Sequence, residues 1–166
     1  LYAMLRSMLA AGCSEAVMEV SSHGIHQSRV NGLSIEVAAF LNLSRDHLDY
    51  HGTMEEYFSE KRRIFNGHNG SLPKVAVINR DCPYGKRLLD EIPTQVRSIT
   101  FGEDSNSDFR VRDISLSPEG AEFVLDCPEG SIVTRSSMLG RYNVMNIAAS
   151  LAIVYAMGFS VSKVVH

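Results

Sequence analysis

Cysteine is scarce and scattered. Cys13, Cys82 and Cys127 lie far apart in no C-x-x-C spacing, and their odd number argues against a closed disulfide framework and fits a reducing, cytoplasmic setting. No apolar run reaches the ~18 residues that a membrane span needs, and the opening stretch LYAMLRSMLAAG lacks the cationic head and cleavage site of a signal peptide, so no membrane association is expected. Basic residues form no run. With 16 Lys and Arg against 19 Asp and Glu, for a formal charge of -3, nothing is built to track a phosphate backbone, and nucleic acid is excluded as a partner. Internal repeats and low-complexity linkers are absent too. What remains is 166 residues, 45% hydrophobic and 21% charged, enough for one globular core. The chain opens on Leu1 with a helix-like pattern already under way, and reads as a piece of something longer.

Four apolar runs rich in β-branched residues, EAVMEV (15–20), IEVAAFLNL (35–43), KVAVIN (74–79) and VRSITFG (96–102), are expected as strands buried on both faces. Helical patterns separate several of them: residues 1–11, residues 53–66 opened by a capping box from Thr53 to Glu56, and residues 83–91. This alternation predicts an α/β fold with a mostly parallel sheet flanked by helices. From residue 108 the rhythm changes. FRVRDISLS, AEFVLD and SIVTRS, broken twice by PEG, predict antiparallel hairpins, a small antiparallel subsheet beside the parallel one. RYNVMNIAASLAIVYAMG (141–158) reads as a helix closed by Gly158. The expected divisions are 1–104 for the parallel part, 105–137 for the hairpins and 138–166 for the helical end.

Open parallel sheets bind ligands beyond the carboxyl ends of their strands, and the tails of the first two expected strands are unusually polar. The first tail, MEVSSHGIHQSR, places Glu19 inside an apolar strand and follows it with Ser21, Ser22, His23, Gln27 and Arg29. A buried carboxylate needs a cation or hydrogen-bond donors, either a structural arginine or a functional partner. The second tail, NLSRDHLDYHG, gathers Asp46, His47, Asp49 and His51 within six residues. Such a cluster suits either a divalent cation or a solvated polar loop. The i, i+4 spacing of His47 and His51 fits a zinc helix, but Gly52 and the lack of an H-E-x-x-H glutamate argue against one.

Lys61 is the third element. At ~100° per residue, Met54, Tyr57, Phe58, Ile64 and Phe65 all fall within about 60° of it, so it stands mid-stripe on the hydrophobic face of its helix. A desolvated lysine loses its preference for charge; the neutral amine is a nucleophile able to take up carbon dioxide as a metal-binding carbamate. The other reading is a snorkelling side chain with a buried stem and a wet head.

Together MEVSSHG, NLSRDHLDYHG, the lysine fourteen positions after His47, and LGRYNVMNIAASLA resemble the ATP-dependent Mur ligases, in order and over nearly the whole chain. The wording of the motifs is most similar to the branch that adds the third residue, diaminopimelate or lysine, to the peptidoglycan stem. The dipeptide-forming and folylpolyglutamate branches share the lysine and the N-x-x-N pair; a non-catalytic α/β binding module is the alternative outside the family. The resemblance implies that Glu19 and His47 bind the Mg²⁺ that bridges the nucleotide phosphates. It implies that Lys61, carbamylated by CO₂, positions a second Mg²⁺. It implies that Ser21, Gln27 and Arg29 hold a UDP-MurNAc-dipeptide, to which a diamino acid is joined, and that Asn143 and Asn146 reach the adenine of ATP. An amide suits that task, with a donor and an acceptor matching the purine edge, although both residues also suit the start of a helix.

The family's phosphate loop, G-x-x-G-K-[ST], is missing from the chain, as are its amino-terminal uridine-binding and carboxy-terminal domains. The sequence is expected to cover the later part of the central ATPase domain. The isolated 166-residue chain is therefore expected neither to hydrolyse ATP nor to form an amide bond; phosphate release by the purified chain above buffer background is the contrary result.

Overall fold

The computed structural model describes residues 1–46 and 48–165. In chain order the elements are α1 (Tyr2–Ala10), α2 (Ser22–His26), β1 (Val37–Phe40), α3 (Leu48–His51), α4 (Met54–Arg62), β2 (Val75–Asn79), α5 (Pro83–Glu91), β3 (Arg97–Gly102), β4 (Phe109–Ser117), β5 (Gly120–Cys127), β6 (Gly130–Ser136) and α6 (Arg141–Ala156), with a 3₁₀ turn at Val161–Lys163. All six strands form one sheet in the order of the chain. β1, β2 and β3 pair in parallel, and β5 pairs antiparallel with both β4 and β6.

The hairpins form the expected antiparallel part, and it continues the parallel strands within the same sheet. β4 pairs in parallel with β3 only at its start, Phe101 beside Phe109 and Gly102 beside Arg110. So short an overlap needs no crossover helix, and residues 103–108 make the link. The carboxylate of Asp108 pins it, accepting hydrogen bonds at 2.7 Å from both the amide and the hydroxyl of Thr100.

β2 shows why its sequence is apolar throughout. Val75 and Val77 join a core with Phe101, Phe109, Phe123 and Leu125 under Val144, Ala148 and Ala152 of α6, while Ala76 and Ile78 join a second core with Phe40, Phe58, Phe65 and Leu88 on the opposite face. Burial on both faces removes the alternation of an exposed strand. On the second face α5 lies so close to the sheet that a Cβ built on Gly85 falls 2.0 Å from the carbonyl oxygen of Asn79. The helix expected over 53–66 ends earlier, at Arg62, yet Ile64 and Phe65 remain buried in the turns beyond it. Gly158 takes the left-handed conformation, φ 86°, just past α6.

One expected strand is not there. Residues 13–21 form no regular element, Val17 is 88% exposed, and Glu19 is exposed rather than enclosed in a strand. An apolar run becomes a strand only where an edge accepts its backbone groups, and among the described residues β1 has a single strand neighbour, β2.

Replacing Gly85 by alanine drives a methyl group into the backbone of β2. It is expected to lower stability by about 1–3 kcal/mol, read as a lower urea midpoint with an unchanged slope.

Candidate active site

The carboxyl ends of the parallel strands carry the polar residues. After β1 the chain passes through Asp46 into α3, then α4. The capping box starts α4 as its residue types require: Thr53 Oγ1 accepts from the Glu56 amide at 3.2 Å, and the Glu56 carboxylate accepts from the Thr53 amide at 3.0 Å. Phe58 fixes the helix to β1 through an edge-on contact with Phe40, ring centroids 6.3 Å apart, and lies under the Arg87 guanidinium at 4.7 Å. Glu55 pairs with Arg87 at 2.6 Å and Arg62 pairs with Glu91, tying α4 to α5. The direction of Lys61 is thereby set.

Lys61 is half-buried, and its Nζ stands 5.8 Å from the centroid of the Tyr57 ring, one turn earlier on the same helix. Burial holds the ammonium below the ordinary lysine range, while the charge of Glu19 acts in the opposite direction. The charge of the first tail's carboxylate is thus felt at the lysine although the strand expected to carry it is absent. Burial, then the charge of Asp46, pushes the Tyr57 phenol up. His47, the other expected metal ligand, lies outside the described residues.

Behind this pair lies a packed group of rings. His51 Nε2 and the hydroxyl of Ser22 share a hydrogen bond of 2.8 Å, with Ser22 only 1% and His51 8% exposed. The His51 ring stacks on Tyr57 at 5.0 Å with 9° between planes. Nearer the surface His23 lies against Tyr50 at 3.9 Å, and His26 Nδ1 meets the Tyr50 hydroxyl at 2.7 Å. These contacts join α2, α3 and α4. Ser22 and His51 stood in the quoted motifs and Tyr57 in the apolar stripe of α4, but sequence reasoning assigned none of them this role.

The other expected site residues fall in two places. Ser21 is the N-cap of α2, its hydroxyl accepting from the Gly24 amide at 3.1 Å, and Gln27 and Arg29 follow that helix as exposed side chains. Asn143 and Asn146 lie in the first turns of α6. Asn143 Nδ2 donates to the Leu139 carbonyl at 2.8 Å, the helix-start role its residue type also suits, whereas the Asn146 side chain is exposed. The start of α6 is held at the carboxyl end of β3: Arg141 pairs with Glu103, and the amides of Glu103 and Asp104 donate to the Asp81 carboxylate at 2.8 and 2.9 Å.

As a donor set this does not make a zinc site. Among the described residues no group of three or more His, Cys, Asp or Glu side chains stands where it could hold an ion. The exposed carboxylate of Glu19 is a donor of the kind Mg²⁺ accepts, since that ion takes one or two carboxylates and draws its remaining ligands from water and phosphate. Among the described residues no helix is long and apolar enough to cross a membrane.

Parallel strands with polar carboxyl ends, a desolvated lysine and a paired-asparagine helix define a class, and comparison with known proteins gives it a name. The profile of the Mur ligase middle domain matches residues 1–154, and the chain belongs to the Mur ligase family. It is 41% identical over 161 residues to a UDP-N-acetylmuramoyl-L-alanyl-D-glutamate--2,6-diaminopimelate ligase of Synechococcus elongatus, covering 97% of this chain and 32% of that protein. It is 40% identical over 164 residues to a ligase of the same name from Listeria monocytogenes, with 96% and 33% covered. A solved structure of a ligase with that name superposes with a TM-score of 0.87 at 38% identity, over 97% of this chain and 33% of that one. The chain spans about a third of the length of these relatives.

The buried ammonium gives a pH test. A depressed lysine value means that, between that value and the ordinary one, the unfolded chain binds more protons than the folded chain, so stability rises with pH across the window. Lys61→Met removes this slope. The variant is expected to melt above the parent at pH 7, with the difference shrinking as pH rises through the depressed lysine value, as thermal denaturation across a pH series would record.

Proposed function

We propose that the protein carrying this chain is an ATP-dependent ligase that joins a diamino acid, diaminopimelate or lysine, to UDP-MurNAc-L-Ala-D-Glu in peptidoglycan precursor synthesis, with this chain as part of its central nucleotide-binding domain. The observation that carries the proposal is the half-buried Lys61 amine within the field of Glu19, in a chain whose relatives carry that ligase name.

The chemistry follows from charge. A carboxylate of the dipeptide attacks the terminal phosphorus of ATP; the new O–P bond forms as the bond to ADP breaks. The amine then attacks the acyl carbon, the C–N bond forms, phosphate leaves and the nitrogen loses a proton. An anion attacking a polyanion meets strong repulsion, and Mg²⁺, when bound, supplies the opposing charge. Glu19 and His47 would hold one such ion. Lys61 as an ammonium would repel a second one. Partly stripped of water, it releases its proton more readily, and the lone pair of Nζ attacks carbon dioxide; an N–C bond forms, a proton leaves to solvent, and the cation becomes a bidentate oxygen anion. Arg29 and Gln27, exposed beside the N-cap serine, would orient the dipeptide, and Asn143 and Asn146 would meet the purine edge.

Titration calorimetry of the whole protein that carries this chain, with Mg²⁺ and then UDP-MurNAc-L-Ala-D-Glu, is expected to give heat for both. Arg29→Ala should weaken dipeptide binding about tenfold or more, the loss of a charge-assisted hydrogen bond. Absence of heat from either titrant is the result expected of a non-catalytic binding module and would overturn the proposal.

A further inference from the structure

We infer that Tyr57 is the positioning residue for Lys61, and that its ring is oriented in turn through His51 by the buried hydroxyl of Ser22. The inference rests on the reading of Lys61 as the reactive amine, and names the residues that keep the amine in place.

Three contacts run in series: Ser22 to His51 at 2.8 Å, His51 to Tyr57 at 5.0 Å and nearly parallel, Tyr57 to Lys61 Nζ at 5.8 Å. They connect the start of α2, the end of α3 and the last turn of α4, segments of which the first is separated from the others by β1 and its flanking loops. The face of an aromatic ring is negative, so it gives a cation a defined resting place where an aliphatic side chain of similar bulk gives none. The stacked imidazole limits rotation of the phenol ring, and the hydroxyl of Ser22 limits rotation of the imidazole. Ser22 is also the neighbour of Ser21, so the end of the first tail and the lysine share one buried link. Core filling alone would make a different statement. Tyr57 is 7% exposed, and if only its volume counted, a leucine would leave the lysine tip where it is.

Acetylation of the full chain by acetic anhydride, followed at Lys61 by peptide mass spectrometry, reads the shielding of the tip; exposed Lys74 serves as the internal reference. Tyr57→Phe keeps the ring and is expected to leave the Lys61 rate unchanged. Tyr57→Leu should raise it about two- to fivefold, the factor a cation–π contact represents. Ser22→Ala, a one-atom deletion that keeps the chain folded, should move the rate in the same direction by a smaller factor. A wild-type rate in Tyr57→Leu, equal changes in the Phe and Leu variants, or a wild-type rate in Ser22→Ala would each overturn the inference. Carbon-13 NMR of the same proteins in labelled bicarbonate separates the underlying reading. A carbamate signal lost in Lys61→Arg supports Lys61 as the reactive amine, whereas its absence from the wild type counts against that reading and leaves the acetylation rates to judge the positioning.

Discussion

A lysine amine held out of water beside an aromatic ring is the constraint on which the rest of this structure depends. An ammonium group in bulk solvent would be indifferent to what surrounds it, and one buried alone would be too costly to keep. Lys61 stands between these limits. Its stem is covered, its tip faces the Tyr57 ring, and Glu19 offsets part of the cost of burial. The same balance that lowers the preference for charge is the one the proposed chemistry at this amine draws on.

Keeping the tip there takes the whole sheet. β1 and β2 form the floor on which α4 lies, Phe40 and Phe58 lock the helix to it, and Arg87 closes the outer side through Phe58 and Glu55. Beyond the carboxyl ends of β2 and β3, Asp81 gathers the amides of Glu103 and Asp104, and Glu103 holds Arg141 at the start of α6. The carboxyl ends of parallel strands are where such a sheet leaves a crevice for a ligand.

Much of this was legible before the fold was known. β2 follows from an uninterrupted apolar run and β3 from a run rich in β-branched residues, the hairpins from alternation punctuated by PEG, and the start of α4 from Thr53 and Glu56. The lysine in the apolar stripe of α4 could be picked out by periodicity alone. The run at 15–20 could not be judged the same way, since its composition says strand and no described edge receives it. Periodicity reports which side of an element can be buried, and is silent on whether a neighbour exists to bury it. Glu19 is therefore exposed where its setting in the sequence promised enclosure.

The ring stack was hidden for a related reason. Ser22 and His51 are 29 residues apart, and nothing in either motif says that the hydroxyl of one will meet the imidazole of the other, or that Tyr57 will serve as a surface for both His51 and Lys61 as well as core. Local residue order determined the kinds of elements, the capping of α4 and the presence of an amine on a face meant for apolar side chains, because propensity and periodicity act over a few residues. Only the tertiary structure decided which carboxylate's charge would act on that amine, that His51 would stack on the ring facing it, and that the hairpins would extend the parallel sheet, because those outcomes depend on segments far apart in the chain being brought together by a shared core.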